Sequence, residues 1–208
     1  MKKLLSLCLA ILMLFSLCAC GDNIQTDDSK KTAYDAASNA YDSINSAYIL
    51  IEEFGSDLYE AWRIGIYDDD EISISYLADE LNLTEDEITA AIDSLAYEGC
   101  GNYYFDYYED SLFSACVWLV TEAYELNGTS SKIAELLSDA KSRMKEMSEK
   151  YSDYEHYNSL KSYYTTSNAF YDFCKDPTGS FEQVKETINT YRNDARSYQN
   201  DLSFIFED

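Results

Sequence analysis

Basic residues, histidine, proline and glycine are all scarce in this chain of 208 residues. The 15 Lys and Arg stand against 39 Asp and Glu, which gives a formal charge of −24. Such a charge argues against a basic face for nucleic acid and against adsorption on an anionic bilayer. A single His leaves almost no room for a His-based catalytic pair or a multi-His metal site. One Pro and seven Gly are too few for the recurrent turns of a β-sandwich.

Apolar and aromatic residues, in contrast, are plentiful. The chain is 46% hydrophobic and contains 20 Tyr, which argues against disorder. Its length fits one domain and is sufficient for a substantial core. We therefore expect a folded, acidic, tyrosine-rich domain.

The first twenty residues have the pattern of an export signal. Met1-Lys2-Lys3 is a short basic start, and residues 4–17 are almost wholly apolar. A basic segment, a short apolar run and a small residue before the cleavage point together make a secretory signal. The apolar run is too short to favour a retained membrane-spanning helix.

The end of this signal, Leu17-Cys18-Ala19-Cys20, resembles the lipobox of bacterial lipoproteins. The resemblance implies removal of residues 1–19 and a diacylglycerol on the sulfur of Cys20. An ordinary signal cleavage that leaves Cys20 free is the alternative. Two acyl chains would anchor the protein stably on the outer face of the cell membrane. Residues 20–32 would then form the anchor and an extended polar tether.

Three cysteines lie beyond the signal and the anchor, at Cys100, Cys116 and Cys174. An exported protein can pair two of them in a disulfide and keep one thiol. Three small buried hydrophobic residues are an equally good interpretation. The sequence leaves both alternatives open.

The mature chain shows the periodicity of long helices. Apolar residues at steps of three and four predict a helix over 30–66, with Ala at every seventh position beside the larger residues. Similar runs occupy 112–126, 131–174 and 180–206. The run over 112–126 is apolar nearly all round, so we expect it to be the most buried helix.

Local signals mark where some of these helices begin or are disturbed. Ser180 and Gln183 can form a capping box at the start of the last helix. The apolar phase slips near His156, which predicts a local disturbance of that helix. Shorter helices are predicted over 72–81 and 85–98, the second opened by a capping box at Thr84. Residues 33–208 thus form one all-α domain, an elongated antiparallel bundle with coiled-coil-like heptad seams and a small two-helix insert at about 70–101.

Residues 76–95 resemble a helix-turn-helix of transcription regulators. A helix that reads DNA needs cations for phosphates and polar side chains for bases. Residues 64–131 contain 16 acids and no Lys or Arg, so we expect no binding to nucleic acid. The pattern still predicts two short helices that pack against each other at an angle through four apolar residues: Leu77, Leu81, Ile88 and Ile92.

A dense aromatic stretch, residues 103–108, is the candidate binding patch. Five aromatic rings in six residues cannot all face one core on a helix. The patch consists of Tyr103, Tyr104, Tyr107 and Tyr108 with Asp106. Tyrosines combine an apolar face with a polar tip, which suits protein interfaces and sugar stacking. Aromatic cladding over the insert is the alternative.

Signals for a metal or for catalysis are weak. Asp68 and Asp70 are the best candidates for a calcium site, but counting from Asp68 puts Ser73 and Asp79 where an EF-hand loop has Gly and Glu. A solvated acidic loop is the simpler interpretation. His156 has no nucleophile signature nearby and is expected on the surface. We therefore predict no cofactor and no catalytic residue.

These observations favour a non-catalytic recognition or scaffolding module at the bacterial cell envelope. Its expected partners are the membrane, through Cys20, and an envelope protein or glycan. One alternative is a lipoprotein that protects its own cell from a phage or toxin. Another is an envelope enzyme that uses carboxylates.

Overall fold

The computed structural model describes residues 22–67, 73–97 and 112–207, with side chains described for 28–67, 73–94 and 117–207. Within these segments the chain is all-α and has no strand, as predicted. The helices, in chain order, are α1 Asp22–Tyr67, α2 Ile74–Glu80, α3 Glu85–Tyr97, α4 Leu112–Leu126, α5 Thr129–Lys150, α6 Tyr157–Lys175 and α7 Phe181–Phe206.

Helix α1 lies at the centre of the bundle and contacts α4, α5, α6 and α7. The heptad seam predicted for it is buried except at its first member, Tyr34, which is 38% exposed, and the three alanines that flank the seam at seven-residue spacing are buried too. The buried residues are Ala33, Ala37, Ala40, Tyr41, Ile44, Ala47, Tyr48, Ile51, Leu58 and Trp62. Gly55 permits the close approach of α6, because a Cβ there would lie 2.4 Å from Cζ of Phe170.

The other long helices run alternately up and down against α1. Helix α5 is antiparallel to it, and the Ser43 hydroxyl of α1 donates a 2.6 Å hydrogen bond to Asp139 of α5. Helix α6 runs parallel to α1, and the Tyr163 hydroxyl donates to Asn45 at 3.0 Å. Helix α7 returns antiparallel, because its first residue, Phe181, packs on Tyr59 while the residues near its end contact the first turns of α1.

Two parts of the bundle have different neighbours. Residues 28–52 of α1 contact α5, α6 and the C-terminal part of α7, and we call this the proximal half, since it lies nearer the predicted anchor. Residues 53–67 of α1 contact α4, which supports the α2–α3 pair, as well as the end of α6 and the start of α7, and we call this the distal half.

The two-helix insert is confirmed, with slightly different ends. Its buried contacts come from three of the four predicted apolar residues, Leu77, Leu81 and Ile88, while Ile92 is half-buried. Asn82 turns the chain between α2 and α3 with a φ of 48°, a conformation that Asn tolerates better than most residues. The Thr84 box closes as expected, because its amide donates to Glu87 at 2.8 Å and the Glu87 amide donates back at 3.2 Å.

Three expectations need correction. Residues 22–32 are the first turns of α1 and not an extended tether. The phase slip near His156 ends a helix, since residues 151–156 form successive turns between α5 and α6. Within the described part of α4, Trp118 and Leu126 are 48% and 52% exposed, so this helix is not buried all round but keeps one solvent-facing side.

Candidate functional site

Several predicted site residues lie outside the described parts of the chain. They are the lipidation site Cys20, the calcium candidates Asp68 and Asp70, and the aromatic patch Tyr103, Tyr104, Asp106, Tyr107 and Tyr108. Their roles stay predictions. The described residues instead bring together two surfaces that the sequence did not single out.

The first surface is formed by exposed carboxylates of the distal half, and we call it the distal acidic surface. Its members lie on α2, α3 and α4 and are Asp79, Glu80, Glu85, Asp86, Asp93 and Glu125. No Lys or Arg occurs between Arg63 and Lys132 to neutralise them. Arg63 itself pairs with Glu60 at 2.5 Å and with Glu80 at 3.5 Å. The surface therefore carries a strong negative charge, which Arg63 and, near Glu125, Lys175 offset only in part.

Large apolar side chains are exposed in the same half. Ile66, Tyr67 and Ile74 are exposed near the end of α1 and the start of α2. Trp118 lines a small hollow of about 260 Å³ together with Glu122, Lys175, Asp176 and Pro177. The Glu122 carboxylate accepts a 2.7 Å hydrogen bond from Ser94, which fixes α3 against α4 beside this hollow. Exposed aromatics beside carboxylates are typical of recognition surfaces.

The second surface is a cavity of about 710 Å³ in the proximal half, which we call the proximal cavity. It lies between the first turns of α1 and the 151–155 turns. Its lining combines three aromatic rings with charges of both signs: Ser29, Lys30, Ala33, Tyr34, Lys150, Tyr151, Asp153, Tyr154 and Glu155. Burial, Glu155 and Tyr34 raise the pKa of Tyr154, which keeps its hydroxyl protonated and available as a donor.

A polar network secures the C-terminal end of α7 beside this cavity. The Tyr41 hydroxyl donates to Glu207 at 2.5 Å, and the Tyr34 hydroxyl donates to the Ile205 carbonyl at 3.1 Å. Asn45 accepts hydrogen bonds from Tyr163 and from Gln199, at 3.0 and 2.7 Å. Burial raises the pKa of Tyr41 above its ordinary value, with Glu207 as a further cause. These contacts satisfy buried polar groups and hold the helices in register.

One buried carboxyl group belongs to the distal core. Asp57 is only 6% exposed and accepts a 2.8 Å hydrogen bond from the Tyr124 hydroxyl. The Tyr124 ring stacks on Phe54 at 4.3 Å between centroids. Burial raises the pKa of Asp57 to about 7, against the lowering effect of the Tyr124 hydrogen bond. Because Asp57 is enclosed by packed side chains, we assign it to the core rather than to a reaction.

The remaining reactive groups are likewise engaged in packing. Cys174 is buried and unpaired, and its burial raises the pKa of the thiol. His156 is half-buried, with its ring edge-on to Tyr154 at 5.5 Å and to Phe206 at 6.4 Å, rather than freely exposed as expected. Among the described residues, no three His, Cys, Asp or Glu side chains come together as metal ligands.

Neither the helices nor the comparisons assign a class to the chain. None of the described helices combines the length and the apolar composition that a membrane span requires. Comparison with family models, with curated proteins and with solved structures finds no match. The functional argument therefore depends on the chemistry of the two surfaces.

Proposed function

We propose that this chain is a lipid-anchored recognition protein on the outer face of the cell membrane, without catalytic activity. The sequence ending at Cys20 supports the anchor, because it resembles a lipobox. The distal acidic surface binds a partner protein that presents a face rich in Lys and Arg. The helical bundle serves as the scaffold that carries this surface.

One observation carries the choice of partner: the distal half combines exposed carboxylates, no cation between Arg63 and Lys132, and a half-exposed Trp118. A field of one sign accelerates association with a partner of the opposite sign and repels like-charged proteins. Aromatic side chains such as Trp often dominate the energy of an interface once it forms. The two features supply the attraction and the anchor residue of one docking surface.

The length of α1 suits such a scaffold. A helix of 46 residues is about 69 Å long. If Cys20 carries the lipid, the start of α1 is two residues from the anchor, and the distal acidic surface lies toward the other end of this helix. The carboxylates are then held away from the anionic lipid headgroups that would repel them.

The anchor is tested by metabolic labelling with a palmitate analogue in a bacterial host. The wild type should incorporate the label and enter the detergent phase, whereas Cys20→Ala should do neither. Cys18→Ala is the matched control, since its cysteine is removed with the signal and labelling should persist. Equal labelling of all three proteins, or of none, contradicts the anchor.

The partner is tested by a photo-crosslinking amino acid placed at Trp118 in cells. Ile49 is the control position, because it is 50% exposed against 48% for Trp118 but lies in the proximal half. The Trp118 position should crosslink to a defined envelope protein with a basic surface. Charge reversal by Asp86→Lys with Asp93→Lys should reduce that product. Equal products from both positions, or a product insensitive to charge reversal, contradict the docking surface.

A further inference from the structure

The proximal cavity has the dimensions of a small-molecule site. Its volume of about 710 Å³ lies within the range of about 300–1,000 Å³ common for such sites. It is formed by the first described turns of α1 and by the segment that breaks the α5–α6 run. The distal acidic surface contributes no residue to it, so the cavity is independent of the proposed docking of a cationic protein.

The aromatic walls of the cavity are held in place from behind. Tyr34 is fixed by its hydrogen bond to the Ile205 carbonyl and by its ring contact with Phe206 at 5.6 Å. Tyr154 is fixed by the edge of the His156 ring. Tyr151 caps α5, and its amide donates to the Met147 carbonyl at 2.8 Å. The rings therefore need little ordering when a ligand enters, which lowers the cost of binding.

The charged groups of the cavity balance one another. Lys30 and Lys150 supply donors, while Asp153 and Glu155 supply acceptors. Lys150 is already engaged with Glu146 at 2.8 Å, and Glu155 lies 3.6 Å from His156. Lys30 has no ion-pair partner among the residues the structure describes. An anionic ligand would meet both carboxylates and a cationic ligand both ammonium groups, so the lining favours a neutral ligand that uses donors and acceptors together.

We propose that the proximal cavity binds a neutral oligosaccharide. The apolar C–H faces of sugar rings pack against Tyr34, Tyr151 and Tyr154, which offer both an aromatic face and a polar hydroxyl. The sugar hydroxyls accept hydrogen bonds from Lys30 and donate to Asp153. This proposal depends neither on the lipid at Cys20 nor on a cationic partner.

The test is calorimetric titration of the detergent-solubilised full chain with a panel of neutral tetrasaccharides: chitotetraose, cellotetraose and maltotetraose. At least one should bind, and Tyr151→Ala should weaken that binding by about tenfold or more, as loss of an aromatic anchor does. Tyr151→Phe should retain binding, because stacking needs the ring and not the hydroxyl. Thermal melts confirm that each variant is folded.

Two lysines provide a matched pair that leaves the core untouched. Lys30→Ala should weaken binding about fivefold, within the range for the net contribution of one typical hydrogen bond. Lys31→Ala removes the same charge from the neighbouring residue, which pairs with Asp35 and does not line the cavity, and should leave affinity unchanged. Absence of binding by the whole panel at about 10 mM, equal losses in both lysine variants, or displacement of the sugar by inorganic phosphate overturns the proposal.

Discussion

The proximal and distal halves of this bundle share the long helix α1 but are charged differently. In the proximal half, cations alternate with acids and form helix pairs such as Arg143 with Asp139 and Lys150 with Glu146. A cluster of Glu52 with Arg192 and Arg196 joins α1 to α7 there. In the distal half, Arg63 pairs with Glu60 and Glu80 and Lys175 lies beside Trp118, but α2, α3 and α4 carry no cation of their own.

The difference does not follow from the needs of the fold. A surface ion pair contributes only about 0–1 kcal/mol, so a helical bundle can form with or without it. Clustered like charges, in contrast, repel one another and lower stability. Because folding gains nothing from a surface without cations, we infer that the distal composition serves binding. The predictions below test whether the distal composition serves binding rather than stability.

The largest effect should come from truncating matched aromatics, one in each half. Tyr163→Ala removes a fully buried ring of the proximal core and should cost about 3–5 kcal/mol of unfolding free energy. Trp118→Ala removes a half-exposed ring of the distal half and should cost far less, about 1 kcal/mol. Denaturant titration of both variants measures the contrast. Similar losses would mean that Trp118 belongs to the core.

The second prediction concerns the buried carboxyl of the distal half. Since burial raises the pKa of Asp57 to about 7, the folded state holds this proton more tightly than the unfolded state, whose pKa is about 3.8. Asp57 therefore contributes full stability below about pH 4, and this contribution is lost as pH rises toward 7. Asp57→Asn should stabilise the protein at pH 8 by about 1–3 kcal/mol and flatten the pH profile.

Thermal melts from pH 4 to 8 measure this effect, and Asp194→Asn on the exposed face of α7 is the matched surface control. A wild-type stability that increases between pH 5 and 8, with no difference in the Asp57 variant, would contradict the assignment.

The fold could be predicted from the sequence because its signals are local. Steps of three and four residues marked α1, α5 and α7, and the capping pairs at Thr84 and Ser180 marked two helix starts. The break after Lys150 could be predicted only in part, since a phase slip is compatible with either one distorted helix or two separate helices. Only the structure shows that the chain turns there.

The two candidate surfaces could not be predicted, because each joins residues far apart in sequence. The proximal cavity requires Lys30 and Tyr34 to meet Tyr151 and Tyr154, more than 100 residues away. No periodicity carries that information. The exposure of Trp118 was likewise hidden, because the helix that contains it is apolar on nearly every side. The absence of cations over 64–131 was the one visible signal, and it served to exclude DNA rather than to define a docking surface.

A third, smaller contrast is between two capping boxes, one at the start of α3 and one at the start of α7. Thr84→Ala and Ser180→Ala should each cost about 1 kcal/mol, because each removes a side-chain acceptor at a helix start. The two costs should depend differently on pH. The backbone and side-chain hydrogen bonds to Glu87 lower its pKa, so its contribution is lost as pH falls through the folded value, whereas Gln183 does not titrate.

The cost of Thr84→Ala should accordingly shrink below about pH 4, while that of Ser180→Ala should stay constant. Chemical denaturation at pH 3 and pH 7 measures both. A cost of Thr84→Ala that is the same at both pH values would show that the Glu87 carboxylate does not stabilise the cap.

The smallest effect tests the electrostatic cost of the distal acidic surface on a single helix. Asp86 lies in the first turn of α3, where the helix dipole favours an anion, and Asp93 lies in its second half, where the dipole opposes one. Both are exposed, and the same change to Asn removes one charge from the same like-charged surface. Asp93→Asn should therefore stabilise the protein by about 0.2–0.5 kcal/mol, because repulsion and the dipole both act against this carboxylate. Asp86→Asn should be neutral or slightly destabilising, since the lost dipole interaction offsets the relieved repulsion. In 1 M salt, where the screening length is about 3 Å, the difference should nearly vanish. A salt-independent difference would assign the effect to helix propensity, and the distal half would then carry its charge at no cost to the fold.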